Sequence, residues 1–201
     1  MRPSYRQTLP EILRQEALPV DKFGHQPRLY RLTQEIGEGL SYDDDVVFAA
    51  AWLHDLGVFV GHRPEDPVAL KTWDHVGYAC RRVPELLSTT DFPAAKIPAV
   101  LDVIREHQPH DNPQSIEAII LRDADILEQL GAIGILRNVS KVGRDTRFSY
   151  FSEIIPVLRR SLETLPGKIR LDSTRRLAEA RIAVLSSFLS GVKAEAGELL
   201  Y

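Results

Sequence analysis

The chain has 201 residues, 44% hydrophobic and 26% charged, with a formal net charge of −3. That length supports a sizeable core without covalent staples, and the weakly acidic balance argues against a nucleic-acid backbone or an anionic membrane as partner. A single cysteine, Cys80, excludes an internal disulfide framework and a multi-cysteine zinc site and reads as a small buried residue in a reducing compartment.

In chain order, residues 1–19 form an amphipathic N-terminal segment, interrupted by Pro10 and lacking the apolar core of a signal peptide. Residues 20–195 read as one all-α domain. Over 25–40, apolar side chains recur at Leu29, Leu32, Ile36 and Leu40, a helical spacing. The run 46–54 is apolar on every side, as a central helix must be, and is too short to span a bilayer. Ser41 and the acidic run Asp43-Asp44-Asp45 mark its start, and Gly57 can stop it. Further helices are predicted over 75–87, 98–107, 115–130, 148–162 and 173–195, the last opened by "DST". The glycines of "GAIGILRNVSKVGRD" (131–145) loosen or redirect the chain. No stretch alternates with period 2, so no strand is predicted. The protein reads as soluble and cytoplasmic.

Several of these apolar helices end on groups that bind metals. "AAAWLHDLG" runs into His54 and Asp55, "AVLDVIREH" into His107, and "IEAIILRDAD" into Asp123 and Asp125, while His25 opens its own helix with Arg28 one turn on. Burying an ionised carboxylate costs several kcal/mol, roughly, unless it is paired or metal-bound. A shared divalent cation would satisfy these groups together, and a mixed imidazole and carboxylate set suits Mn, Fe, Co, Ni or Zn. Neighbouring residues on a helix diverge by about 100°. His54 and Asp55 therefore converge only if the helix bends or ends there. The plain alternative is that each histidine is a hydrogen-bonded core residue and each aspartate a solvated or backbone-capping one.

The order His25, His54-Asp55, Asp125 resembles the H…HD…D pattern of the HD-domain metal-dependent phosphohydrolase superfamily. "HQPRLYRL", "HVGYACRRVPELL", "LRDADILEQLGAIGI" and "LDSTRRLAEARIAVLSSFL" resemble the flanking motifs of its small stand-alone members, over roughly residues 20 to 190. The resemblance implies an HD-domain helical bundle whose metal ligands are His25, His54, Asp55 and Asp125, with Asp123 in a supporting role. His75 and His107 match positions that hold a second ion in binuclear members, with Asp55 bridging, and that face substrate or water in mononuclear ones. Asp55, His75 and His107 are the candidates to accept a proton from the attacking water. Arg28, then Lys71 or Arg122, are the candidates to bind a phosphate.

The chain also departs from its better-known relatives. Val58 stands where small 5′-nucleotidases place glutamate and cyclic-dinucleotide phosphodiesterases lysine. Val58 and Phe59 replace the Glu-Asp pair of guanosine tetraphosphate hydrolases, and Ile126 replaces a Lys or Arg common in stand-alone members. The resemblance therefore implies a phosphohydrolase for a small phosphomonoester or nucleotide, dependent on a divalent metal (Mn, Mg, Fe, Co, Ni or Zn), and leaves the substrate open. Two rivals stand beside it: a non-catalytic module that binds metal and nucleotide, and a di-iron oxygenase using His75 and His107. Apolar residues on the last two helices also allow a homodimer.

Overall fold

A computed structural model describes residues 2–143 and 148–197. Among these, ten α-helices account for the secondary structure together with short 3-10 turns, and no strand occurs beyond one isolated bridge between Val60 and Arg63. The protein is all-α. No helix among the described residues is long and apolar enough to cross a membrane. The backbone divides into two compact units, through Arg122 and from Asp123 onward.

The first unit contains α1 (Tyr5–Glu16), α2 (His25–Gly37), α3 (Asp44–Leu53), α4 (Pro67–Lys71), α5 (His75–Ser88), α6 (Ile97–Arg105) and the start of α7 (Ile116–Glu128). Its centre is α3, where every residue from Val46 to Leu53 is buried. Helices α1, α2 and α6 pack around it, and α5 packs on α6. Each side chain fully buried in this way contributes about 1.5–3 kcal/mol for a Val, Leu or Phe. The cap of α3 is Asp43, which accepts the backbone N–H groups of Asp45 and Val46, so the start lies two residues beyond Ser41.

The N-terminal segment is a single helix. Pro10 sits inside α1 without ending it, because Leu9 and Leu13 on the same helix are fully buried and hold the turns on either side. The Arg14 guanidinium covers the Phe23 ring at 4.8 Å, and the Tyr5 ring meets Phe92 edge-on at 5.0 Å. Cys80 is half-buried rather than enclosed, and burial pushes its thiol pKa up.

In the second unit, α8 (Gly131–Val139), α9 (Ile154–Thr164) and α10 (Asp172–Ala196) pack on one another. The glycine-rich stretch after α7 therefore forms a helix, contrary to the sequence expectation, although its last two residues lie outside the described ones. Its glycines serve close approach. Gly131 has φ of +69° and lies against Arg181, and a Cβ at Gly134 would stand 2.3 Å from the Gln129 carbonyl oxygen. Likewise the predicted 148–162 helix begins only at Ile154, after a 3-10 turn over Phe151–Glu153.

The first turn of α3 is clamped by charge. Asp45 accepts hydrogen bonds from the Tyr5 hydroxyl, from Arg6 Nη2 at 2.7 Å and from Lys96 Nζ at 2.8 Å. Arg6 also reaches Asp44 at 2.8 Å, and Lys96 reaches Asp43 at 2.9 Å. These bonds, first that from Lys96 and then that from Tyr5, hold the Asp45 carboxyl well below the usual aspartate range. A depressed carboxyl stabilises the fold above its unfolded pKa of about 4, and that contribution drains away as pH falls below it. Tyr5, pushed up to about 12 by burial and the Asp45 bond, contributes stability that is lost only in strong alkali, outside the acid window. Asp45→Asn is expected to lower unfolding free energy by about 1 kcal/mol at neutral pH. In urea melts, the gap to wild type should narrow as pH drops from about 4 toward 2.

Candidate metal centre

Helix α3 ends at Leu53, and its last carbonyls have no helical partner. The His54 ring fills that need, with Nδ1 3.1 Å from the Ala51 carbonyl oxygen. A carbonyl can only accept, so Nδ1 carries a proton, and in the neutral ring Nε2 turns a lone pair inward. His107, just beyond α6, repeats the arrangement with Nδ1 2.6 Å from the Ile104 carbonyl. His25, at the first position of α2, is also buried.

These three imidazoles lie in a row. Ring centroids are 5.3 Å apart for His25 and His54, and 4.9 Å for His54 and His107. His25 Nε2 and His54 Nε2 face each other at 3.3 Å. The chain leaves helical geometry at Asp55 (φ −98°, ψ 14°), which brings Asp55 Oδ2 to 3.7 Å from His25 Nε2 and 3.6 Å from His54 Nε2. Thus the helix does end where the two neighbours must converge. Ligand atoms of His54, Asp55 and His107 all lie within 4.8 Å of one another. Donors roughly 3–4 Å apart suit an ion that binds each at about 2.1 Å. The donor set therefore fits a divalent transition metal, and a cation would relieve the apposition of two ring nitrogens.

The remaining predicted residues are placed differently. His75, half-buried at the start of α5, has its ring centroid 6.3 Å from that of His107, and its Nε2 lies 3.3 Å from Gln108 Nε2. Arg28 is half-buried on α2, and Lys71 is exposed on α4. Arg122 is buried, and its Nη2 donates to the Pro109 carbonyl at 3.0 Å. In the second unit, Asp125 is buried and accepts a bond from Gln129 Nε2 at 3.0 Å. Its neighbour Asp123 accepts the backbone N–H groups of Arg170 and Leu171, which makes it a structural cap. Ile126 is fully buried, and Val58 lies in the turn after Asp55.

Gly57 has a role other than the one read from sequence. It is not a left-handed helix stop. It lies in a 3-10 turn, Leu56–Val58, against the backbone of α5, where a Cβ would come 2.5 Å from the His75 carbonyl oxygen and 2.6 Å from its Cα. Two residues missed from sequence also act on this turn: Trp73 Nε1 donates to the Gly57 carbonyl at 2.7 Å, and His62 Nδ1 to the Leu56 carbonyl at 2.8 Å. Both sit in stretches that read as connections, and neither has a periodic signal.

An all-α chain with clustered buried imidazoles and a carboxylate at helix ends has a donor set that could hold a metal ion. The HD domain family matches residues 23–130, more than half of the chain, and the chain belongs to that family. Solved structures share the fold. YpgQ of Bacillus subtilis, in complex with ADP, is 21% identical over 95% of this chain and 94% of that one, with a TM-score of 0.68. A predicted HD superfamily hydrolase from an uncultured Thermotogales bacterium is 25% identical, covering 97% and 94%, with a TM-score of 0.64. An HD-superfamily hydrolase from Bacillus thuringiensis is 20% identical, covering 94% and 93%, with a TM-score of 0.66. No curated protein matches the chain.

Gly57→Ala drives a methyl group into the backbone at His75, which must shift to admit it. It is expected to destabilise the protein by roughly 1–3 kcal/mol. The same substitution should displace the His75 ring, which urea melts and the His75 ring NMR signals would report.

Proposed function

We propose that this protein is a metal-dependent phosphohydrolase acting on a small phosphomonoester, with a nucleotide as the favoured substrate class. The observation that carries the proposal is the apposition of His25 Nε2 and His54 Nε2 at 3.3 Å with Asp55 Oδ2 beside both. His25, His54 and Asp55 are the proposed ligands of a divalent ion. Asp125 joins them by its place in the family motif. A bound divalent ion would supply Lewis acidity toward a phosphoryl oxygen and acidify a coordinated water.

The chain's own residues do the rest. His54, with Nδ1 tied to the Ala51 carbonyl, has its ring fixed in direction, and in the neutral form its Nε2 is the unprotonated nitrogen. The Asp55 side chain is 18% exposed, so it meets solvent while lying against two buried rings. It is the proposed acceptor of the water proton, with His75 and His107 as the nearby imidazole alternatives. Arg28 is the proposed phosphate-binding cation, one turn after His25, with Lys71 and Arg122 as the other two candidates. The row His25, His54, His107, His75 supports a second ion at its His107/His75 end. The ADP held by YpgQ supports a nucleotide as ligand.

A second reading is favoured by Ile126 and Val58, apolar where catalytic relatives carry charge. It is a module that binds metal and nucleotide without turnover.

Elemental analysis of purified protein, followed by phosphate release from nucleotides and sugar phosphates with Mn, Mg, Co or Ni, tests the proposal. Wild type is expected to hold divalent metal and release phosphate in at least one mixture. His54→Ala should lose the metal and drop turnover by about 100-fold or more. Metal content and turnover both unchanged in His54→Ala would sink the assignment. Tight ADP binding without turnover would establish the second reading, and two irons per chain with oxygen-dependent turnover would mark an oxygenase.

A further inference from the structure

The carbonyls of Asp55, Leu56 and Gly57 each have a dedicated donor. Val58 N–H donates to the Asp55 carbonyl at 3.0 Å, His62 Nδ1 to the Leu56 carbonyl at 2.8 Å, and Trp73 Nε1 to the Gly57 carbonyl at 2.7 Å. A three-residue 3-10 turn supports itself poorly, because its internal hydrogen bonds are few and strained. The two side-chain donors are therefore what hold its peptide planes in place.

His62 is itself held from several sides. The Phe59 carbonyl accepts its backbone N–H at 3.0 Å. Its ring lies 5.7 Å from the Phe59 ring and 5.4 Å from the Tyr78 ring, centroid to centroid. Its Nε2 faces Glu16 Oε2 at 3.5 Å, and Arg82 approaches the other Glu16 oxygen at 3.8 Å. Glu16 is the last residue of α1, which lies outside the stretch matched by the HD family. A continuous path thus runs from the N-terminal helix, through an imidazole, to the Leu56–Gly57 peptide in the turn after Asp55.

We propose that His62 is a positioning residue for Asp55. By fixing the Leu56 carbonyl, its ring sets the plane of the Leu56–Gly57 peptide; with the Asp55 carbonyl held by Val58 N–H, this fixes the turn that Asp55 opens, and with it the direction in which the Asp55 carboxylate leaves the backbone. His54 is locked by its own Nδ1 bond, whereas Asp55 sits on non-helical backbone, so its aim depends on the turn. The Glu16 contact makes α1 part of that support. The proposal rests on the metal-centre reading given above.

The experiment compares Mn2+ binding by the full metal-free chain in wild type, His62→Phe, His62→Asn and His54→Ala. Phenylalanine keeps the ring packing and deletes the donor. Asparagine places an amide N–H where Nδ1 stands and retains the bond to Leu56. His62→Phe is expected to weaken Mn2+ affinity about tenfold, with His62→Asn within about threefold of wild type. A merely structural His62 would shift the unfolding midpoint and leave the dissociation constant unchanged. Equal affinity in His62→Phe and wild type overturns the proposal, as does equal weakening in both His62 variants. If wild type binds no Mn2+, the metal reading fails on its own. Positioning is then decided in the metal-free chain by the His25 and His54 ring 15N signals, which should move in His62→Phe and return in His62→Asn. Signals that stay in place in His62→Phe overturn it.

Discussion

The centre depends on one hydrogen bond used twice: an imidazole Nδ1–H donated to a carbonyl three residues back, at the open end of an apolar helix. His54 makes it to Ala51 at the end of α3, and His107 to Ile104 at the end of α6. Each bond satisfies a carbonyl that the helix leaves without a partner and commits the ring proton to Nδ1. In the neutral ring the other nitrogen then presents a lone pair. Helix C-termini also carry partial negative charge, so two of them aimed at one place favour a cation there. Burial of polar groups at the end of an otherwise apolar helix thus becomes stable and directional through the same contact.

Helix α3 is secured at both ends by the N-terminal helix. At its start, Tyr5 and Arg6 of α1 hold Asp44 and Asp45, with Lys96 reaching in from the turn before α6. Beyond its end, Glu16 of α1 faces His62, which holds the Leu56 carbonyl. Between these ends Leu9 and Leu13 are fully buried. The run Val46–Leu53 has no polar face of its own, so its polar contacts lie at its two ends, and the His54-Asp55 pair sits directly beyond one of them.

Much of this was legible along the chain. The apolar periodicities of α2, α3, α5, α6, α7 and α10 place those helices within a few residues of where they lie. The H…HD…D order pointed to the family, and to His25, His54 and Asp55 as neighbours. The misreadings share a cause. Pro10 read as a break and Gly131 and Gly134 as loosening because local preference disfavours both residues in helices. Packing of Leu9, Leu13 and Arg181 overrode it. Gly57 read as a helix stop, while the constraint upon it comes from the backbone of His75, eighteen residues away in sequence. His62 and Trp73 gave no signal, because a side chain that caps one backbone carbonyl leaves no period.

The sequence by itself determined most of the helical segments, which of them end on imidazole or carboxylate groups, and that two such groups stand side by side at a helix end. It could do so because periodicity, capping residues and motif order are local properties. Only the tertiary structure decided that Nε2 of His25 meets Nε2 of His54, that Asp55 turns back toward both, and that His107 joins them. Those relations depend on how the ends of separate helices come together in space, and on side chains distant in sequence that hold one short turn in place.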